Sequence, residues 1–327
     1  MFTFVGHPEI DKVRWDECVT QPPQCLCYAL SWYLDIISPG WNALIWEEAG
    51  HYLAVIPLPE SHKWGVSFVR QPLFAQQLGV FGHPDLPNQA WKEIFAQLQK
   101  RVNFVAHYHF NAANTPSLQA FLASQSAVGW SLAHTHHLDL SQSYAQLAVR
   151  YTRDRRMNLQ RAERAKLTLV ESTDIEPLIA MFAQNVAPTF TRGIHPQGYA
   201  WLRAIYRALH QRGMASLHYA AGPTGELGAG TLFAQTGSKI IYLFNAAFDH
   251  ARRANGRTWL LDQQFQRSAG QPLIFDFESP ELPEIVSFYR SFGAEPVPFC
   301  KISYNHLPRW INAAWWVKQQ LGHRTTR

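Results

Sequence analysis

The order of secondary-structure signals in the second half of the chain constrains the fold more than any other feature. Amphipathic helix patterns follow Asp174 and run from Tyr199 to Leu209, with apolar residues three and four positions apart. Three strand-like runs separated by short turns come next, in "MASLHYAA", "ELGAGTLFAQ" and "KIIYLFNAAF". A helix, the strand "LIFDF", the helix "EIVSFYRSF" and a last strand complete the unit. This order predicts an α+β fold built around an antiparallel meander.

The first half looks like a looser copy of the same order, from the helix pattern in "CLCYALSWYLDII" to the strand pattern in "VGWSLAHTHHLDL". Ala49-Gly50-His51 joins two strand-like runs and predicts a hairpin. No repeat of residues accompanies this order, so the duplication is inferred from the elements alone. A chain of 327 residues also suits two domains of about 150 residues each. We predict an N-terminal domain over 1–150 and a C-terminal domain over 151–304.

The composition is that of a globular protein, because 47% of residues are hydrophobic and only 16% are charged. No uncharged apolar stretch is long enough for a membrane span, and the first residues do not resemble a signal peptide. Cys18, Cys25, Cys27 and Cys300 have no disulfide-framework spacing, which favours buried thiols over metal ligands. We therefore expect a cytoplasmic protein without a transmembrane segment.

The positive charge is concentrated in one segment. Residues 150–166 hold seven Arg or Lys against Asp154 and Glu163, which equals the net charge of +5 of the whole chain. The rest of the chain is neutral, so the pattern favours a local anionic partner such as phosphate over a general polyanion-binding surface.

Three stretches carry a resemblance to a known family, and together they cover much of the chain. "SWYLDIISPGWNALIW" with "QPLFAQQLGVF" resembles the first domain of FemAB-like proteins. "LDLSQSYAQLAVRYTRDRRMNLQRAER" is similar to that family's junction, where a strand end precedes an Arg- and Lys-rich helix. "FDFESPELPEIVSFYRSFGAEPVPF" is similar to its closing block. The element order likewise resembles the GNAT acyltransferase fold.

The resemblance to the Fem aminoacyltransferases implies two tandem GNAT-like domains, each with a mixed, mostly antiparallel sheet flanked by helices. It implies transfer of an acyl or aminoacyl group to an amine, with a cell-wall (peptidoglycan) precursor as one acceptor. It also implies that residues 305–327 fold back onto the first domain. No permanently bound cofactor is expected, and the donor is acyl-CoA or aminoacyl-tRNA. The chain departs from the family at Glu278-Ser279, where well-described members tend to have two glycines, and it lacks the coiled-coil arm of some members.

Asp276 and Glu278 are the predicted catalytic residues. They lie two positions apart at a strand end, so their side chains would share a face and could hold an ammonium group or accept its proton. The alternative is a pair of solvated carboxylates.

Five residues are predicted to bind substrate near these carboxylates or in a cleft between the domains. Arg290 is expected to bind a phosphate, or else to form a structural ion pair with Asp276. The resemblance places a basic residue there facing substrate. Gln76 and Gln77 are expected to line the cleft, with buried structural amides as the alternative. Tyr289, beside Arg290, and Asn245, at the end of the third meander strand, complete the set.

Arg156 is the further predicted substrate contact, from the basic segment. Helical spacing places Arg153, Arg156 and Arg164 near one face, and a guanidinium can donate two hydrogen bonds to one phosphate. A solvated helix face is the alternative.

A short match to a CoA-binding turn gives the predicted cofactor contacts. In "RANGRTWLL", Arg253 and Gly256 have the spacing of a turn that offers backbone N–H groups to pyrophosphate at a helix N-terminus, although Thr258 replaces the final small residue. An ordinary loop before a helix also explains the match.

No metal site is predicted. His107-x-His109 and His134-x-His136-His137 could begin a zinc site, but no third ligand lies at a recognisable spacing. Hydrogen-bonded or solvent-facing strand histidines are the favoured interpretation.

We therefore expect an acyl- or aminoacyltransferase that acts on a small-molecule or precursor substrate carrying phosphate. The first alternative is a CoA-dependent N-acetyltransferase. The second is a non-catalytic protein whose basic helix binds RNA, such as tRNA, or makes a peripheral contact with an anionic membrane. Trp310, Trp315 and Trp316 would then be interfacial aromatics.

Overall fold

Helices and strands succeed one another through the computed structural model, which describes residues 1–308 except 23, 64, 84–85, 186 and 188–194. The first half forms β1 (Phe2–Val5), α1 (Lys12–Val19), α2 (Ser31–Ile37), β2 (Asn42–Glu48), β3 (His51–Leu58), β4 (Glu60–Lys63), β5 (Val66–Arg70), β6 (Phe81–Gly82), α3 (Asn88–Arg101), β7 (Phe104–His109), α4 (Thr115–Leu122), β8 (Gly129–Asp139) and α5 (Tyr144–Val149). The second half forms α6 (Arg153–Arg164), β9 (Thr168–Glu171), α7 (Glu176–Asn185), α8 (Pro196–Gln211), β10 (Ala215–Ala221), β11 (Leu227–Thr236), β12 (Lys239–Ala247), α9 (Asp249–Arg253), α10 (Gly256–Ser268), β13 (Ile274–Asp276), α11 (Pro283–Arg290) and β14 (Glu295–Asn305).

Two β-sheets organise these elements in the described residues. A four-stranded sheet has the order β1-β2-β3-β6, and a ten-stranded sheet has the order β4-β5-β7-β14-β8-β13-β12-β11-β10-β9. Within the large sheet, β5–β7 and β12–β13 are parallel pairs and the remaining pairs are antiparallel. The prediction of mixed, mostly antiparallel sheets in an α+β fold is confirmed.

The element order predicted for the second half is also confirmed. Strands β10, β11 and β12 form the antiparallel meander, and the helices α7 and α8 precede it. Asp174 accepts a hydrogen bond from the backbone N–H of Glu176 at 2.9 Å, as a residue that begins a helix commonly does. These local features depend on side-chain spacing and turn residues within a few positions, which is why they can be predicted from the sequence.

The centre of the large sheet joins the two halves of the chain. Strand β14, from the end of the chain, lies between β7 and β8 of the first half. Strand β8 in turn pairs with β13 of the second half. Each half therefore supplies a strand to the other, and the domain division at residue 150 stays a prediction.

The two larger apolar cores among the described residues hold the layers together. One includes the fully buried rings of Trp15, Trp41 and Trp91 and continues into α7 and α8. The other is an aromatic core that includes Phe265 of α10 and Phe275 of β13. This aromatic core packs directly beneath the end of β13, so it fixes the position of the acidic residues that follow.

The described chain ends against the first half, because the His306 backbone N–H donates to the carbonyl oxygen of Asn103 at 2.8 Å. The predicted helix in "LPRWINAAWWVKQQLG", with Trp310, Trp315 and Trp316, lies outside the described residues after its first two positions. No helix in the described part of the chain is long and apolar enough to cross a bilayer.

Candidate functional site

Asp276 is a buried, fully bonded carboxylate at the end of β13. Thr135 donates its hydroxyl hydrogen to Oδ1 at 2.5 Å, His137 Nε2 lies 3.1 Å from Oδ2, and Lys239 Nζ lies 3.9 Å from Oδ2. The backbone N–H of Glu278 also donates to Oδ1, at 2.9 Å. Burial by itself would raise the pKa of Asp276, but the neighbouring His137, Lys239 and Thr135 hold it well below its usual value. Asp276 therefore stays ionised and organises the site.

Glu278 lies beyond the strand, so the predicted shared face with Asp276 is wrong. Strand β13 ends at Asp276. Glu278 has a φ of 48°, in the left-handed region, so the alternation of side chains along the strand does not continue to it. The Glu278 carboxyl group lies near the hydroxyl of Tyr28 instead. Burial raises the pKa of Glu278 to about 8, the charge of Asp276 adds to the rise, and the Tyr28 hydroxyl opposes it. Glu278 can therefore take up and release a proton near neutral pH.

Glu278 borders a cavity of about 280 Å³ at the junction of the two halves. Its walls come from the loop after β13, from the segment between β5 and β6, from the end of β7, from the middle of β8 and from β14. Lys301 of β14 contributes a positive charge and forms an ion pair with Glu281, with Nζ 2.9 Å from Oε2. The lining residues are Gln76, His109, Ala133, Glu278, Ser279, Pro280, Glu281, Phe299 and Lys301.

Gln76 ties the first half to the loop that carries Glu278. Its side-chain Nε2 donates to the carbonyl oxygen of Ser279 at 3.0 Å, and its own carbonyl oxygen lies 2.9 Å from His109 Nδ1. Gln77 is buried and bonds instead to Gln76 Oε1 and to the backbone N–H of Ala112. Gln76 thus lines the cleft, whereas Gln77 is a buried structural amide.

A second cavity of about 640 Å³ adjoins the first, because both are lined by Gln76 and His109. Arg70, His107 and Trp201 of α8 are among the residues that line this larger cavity. A ligand in the larger cavity would thus lie beside the cavity that contains Glu278.

Arg290 and Tyr289 lie near the acidic loop but not in this cavity. Arg290 is exposed at the end of α11, and no hydrogen bond or ion pair of its guanidinium is found among the described residues. The ion pair with Asp276, which was the alternative to phosphate binding, is absent there, and Asp276 pairs with His137 instead. Burial, followed by the charge of Arg290, lowers the pKa of His136. Tyr289 is buried in the aromatic core against Phe277, so its predicted contact with substrate is wrong.

The basic helix α6 buries a different arginine from the one predicted. Arg153, Arg156 and Arg164 are exposed, and Arg156 bonds only to the carbonyl oxygen of Tyr151 in the described structure. Arg155 is the buried one, with its guanidinium over the rings of Phe288 and Phe292. Arg153, Arg156 and Arg164 thus lie on a solvent-exposed face, and phosphate binding by Arg156 stays a prediction.

Arg155 reaches the start of α10, where the CoA-like turn was predicted. Its Nη1 donates to Thr258 Oγ1 at 2.7 Å, and its Nε donates to Ser291 Oγ at 2.8 Å. A cavity of about 200 Å³ lies at this helix start, lined by Arg155, Asn158, Arg252, Asn255, Gly256, Arg257, Thr258 and Phe288.

Of the predicted cofactor contacts, Gly256 lines this third cavity and Arg253 does not. Arg253 is exposed on α9, and Arg252 and Arg257 supply the charges in its place. Asn245 accepts a hydrogen bond from Arg257 Nη1 at 3.0 Å, which makes it a support for this cavity rather than a wall of the Glu278 cavity.

The histidine clusters are strand residues, as expected, and no group of three metal-ligating side chains occurs in the described structure. The four cysteines are buried and free, and burial raises the pKa of Cys25 to about 11.

Sequence reasoning missed Tyr28, His109 and Arg155 as site residues. Tyr28 lies in a run whose apolar neighbours predicted only a buried helix. The His-x-His spacing of His109 suggests only a metal ligand or an ordinary strand histidine, and Arg155 is one of several arginines in the basic segment. Their importance depends on residues far away in the chain, which no local pattern contains.

The comparisons with known proteins agree with this architecture. The chain is similar to FemX, with a TM-score of 0.67 and 12% identity over 89% of this chain and 96% of that one. It is similar to the C-terminal domain of a putative lysylphosphatidylglycerol synthetase from Agrobacterium fabrum, with a TM-score of 0.54 and 13% identity over 90% and 92%. It is also similar to a tandem GNAT protein from the clavulanic acid biosynthesis pathway, with a TM-score of 0.50 and 13% identity over 94% and 99%.

No protein-family model and no curated protein sequence matches the chain. At identities of 12–13%, the similar structures show the fold. The resemblance recognised in the sequence is thereby confirmed at the level of structure, and the chain has the FemX-like fold of two tandem GNAT-like domains.

Proposed function

We propose that the protein transfers an acyl or aminoacyl group from a carrier to an amine, and that Glu278 accepts the proton of that amine. The observation that carries the proposal is the position of Glu278. Its carboxyl group has a pKa of about 8, borders a cavity at the junction of the two halves, and is oriented by Tyr28. A general base works best when its pKa is close to the working pH.

The proposed reaction needs no covalent enzyme intermediate. The amine gives a proton to the Glu278 carboxylate, and its nitrogen lone pair forms a C–N bond with the acyl carbon. The bond between that carbon and the carrier oxygen or sulfur breaks, the carrier leaves with the electron pair, and the proton passes to it. Lys301, on the wall of the same cavity, supplies positive charge near the developing oxyanion.

The fold supports this class of reaction. FemX and a tandem GNAT protein share the architecture, and another similar structure is named as part of a synthetase of lysylphosphatidylglycerol. We therefore propose aminoacyl-tRNA or acyl-CoA as the donor. As acceptor we propose an amine of a phosphate-bearing precursor, a cell-wall intermediate among them, held in the larger cavity.

A direct assay would combine each donor with UDP-linked muropeptides and detect the amide product by mass spectrometry. In the variant Glu278→Gln we expect the rate of product formation to fall on the order of 10²–10⁴-fold, because the amide cannot accept the proton. Glu284→Gln on the exposed face of α11 is the matched control and should keep the wild-type rate. A Glu278→Gln variant with the wild-type rate would rule out the proposed base.

A CoA-dependent acetyltransferase is the second candidate, and the cavity at the start of α10 favours it. Arg155, Arg252 and Arg257 surround this helix N-terminus, where backbone N–H groups attract phosphate. Calorimetric titration with acetyl-CoA tests it, with Arg257→Glu as the variant and Arg207→Glu on α8 as the control. Tight binding that Arg257→Glu abolishes would identify CoA as the donor. Absence of binding in the wild type would leave aminoacyl-tRNA.

A further inference from the structure

His109 occupies the meeting point of the two cavities. It is the last residue of β7, it is partly buried, and its ring lines both the larger cavity and the one with Glu278. Its Nδ1 lies 2.9 Å from the carbonyl oxygen of Gln76. A carbonyl oxygen can only accept, so Nδ1 carries the hydrogen and Nε2 of the neutral ring is unprotonated.

The surroundings keep this ring neutral. Burial lowers the pKa of His109 to about 4, helped by the nearby charges of His107 and Lys301 and opposed by the Gln76 bond and Glu281. Near neutral pH, Nε2 is therefore a hydrogen-bond acceptor and cannot donate. No protein group in the described structure bonds to it, which leaves it for a ligand.

The cavity thus contains His109 Nε2, which can only accept a hydrogen bond, and Glu278, whose ionised form can accept a proton. An anionic group would meet no donor at Nε2. An amine meets both requirements, because one hydrogen can point to Nε2 while another passes to Glu278.

We propose that His109 is a substrate-binding residue whose Nε2 accepts a hydrogen bond from the acceptor amine and holds it against Glu278. The inference rests on the proposed function and adds the position of the amine. With one N–H fixed on His109 and one proton given to Glu278, the nitrogen lone pair is directed toward the acyl carbon. Gln76 sets the ring orientation through the bond to Nδ1, and it also fixes the loop of Glu278.

Two substitutions of His109 separate this role from a structural one. In His109→Asn the side-chain amide can still donate to the Gln76 carbonyl, but the acceptor at Nε2 is lost. We expect an unchanged melting temperature and a rise of about 10- to 100-fold in KM for the amine, from the loss of one hydrogen bond to a charged or reacting group. His109→Gln keeps an acceptor near Nε2 and gives up the Gln76 bond, so it should lose stability and retain more amine binding. His62→Asn, exposed on β4, is the control.

A measurement that needs no turnover decides the same point. In protein labelled with ¹⁵N-histidine, the Nε2 resonance of His109 should be that of an unprotonated nitrogen and should shift saturably with glycinamide but not with acetate. If acetate shifts it and glycinamide does not, the site takes an anion and the inference is overturned. If wild type makes amides and His109→Asn does so with the same KM, the inference fails while the proposed function stands. If glycinamide shifts Nε2 but no donor yields product, the inference survives and the proposed reaction fails.

Discussion

At the scale of single residues, Glu278 combines two unfavourable features. Its backbone adopts φ 48°, a conformation that costs a residue with a Cβ atom about 1 kcal/mol or more and that glycine adopts freely. Its carboxyl group is also desolvated against Tyr28. A strained, partly buried acid beside a cavity indicates a functional requirement.

The raised pKa of Glu278 makes stability depend on pH in a defined direction. Above the ordinary pKa of 4.5 the unfolded chain releases this proton, whereas the folded protein keeps it until about pH 8. Stability is therefore lost as pH rises through this window. We expect Glu278→Gln to become more stable than wild type by about 2–3 kcal/mol between pH 5 and pH 9, less than full burial would give because the carboxyl group borders the cavity.

Urea unfolding at several pH values measures this difference. Glu284→Gln should show no such trend, because Glu284 is exposed. A constant difference between Glu278→Gln and wild type across the pH range would show that Glu278 titrates normally.

At the scale of secondary-structure elements, α6 joins two other helices through Arg155. This guanidinium bonds to Thr258 of α10 and Ser291 after α11, and it lies 4.3 Å from the ring centre of Phe288. Burial lowers the pKa of Arg155 to about 10, so the group remains charged at neutral pH. The packing of α6 therefore depends on planar guanidinium geometry as well as on the apolar residues Leu159 and Ala162.

We expect Arg155→Lys to destabilise the protein by about 2–3 kcal/mol, because an ammonium group cannot keep both hydrogen bonds and the stacking at once. Arg156→Lys is a matched control one position along the same helix, and it should change stability by less than about 0.5 kcal/mol because Arg156 is exposed. Thermal or urea unfolding of the two variants makes the comparison. Equal free energies of unfolding for the two variants would show that the burial of Arg155 adds nothing to stability.

At the scale of the whole molecule, the two halves depend on each other through their exchanged strands. Strand β14 pairs with β8 from Glu295–His137 to Ser303–Gly129 and also pairs with β7. Without β14, both β7 and β8 would present unpaired edges and the apolar side chains that β14 covers.

We therefore expect a fragment of residues 1–150 to be aggregated or poorly folded. Gel filtration and amide NMR dispersion of the fragment would show this, with the full chain as the control. The full chain should unfold in a single transition when followed by tryptophan fluorescence and by far-UV circular dichroism. A monomeric fragment with well-dispersed amide signals would show that the first half folds without β14.

The sequence by itself determined the parts that depend on near neighbours. The meander β10–β12, the hairpin at Ala49-Gly50, the helices α7 and α8 and the exposed arginines of α6 all follow from spacing, turn residues and charge within a few positions. The resemblance then supplied the tandem GNAT-like plan. It also directed attention to Asp276, Glu278 and Gln76, which the structure does bring together.

Only the tertiary structure decided which contacts those residues make and how deeply they are buried. Gln76 and Ser279 are 203 positions apart, and the bond between them exists because the two halves share one sheet. Tyr28 meets Glu278 across a similarly long separation, and Gln76 sets the His109 tautomer from 33 positions away. Arg155 is buried while Arg156 is exposed, since helix rotation is fixed by the partners of α6 and not by its composition. Such pairings depend on how distant surfaces pack, and packing is a property of the whole chain.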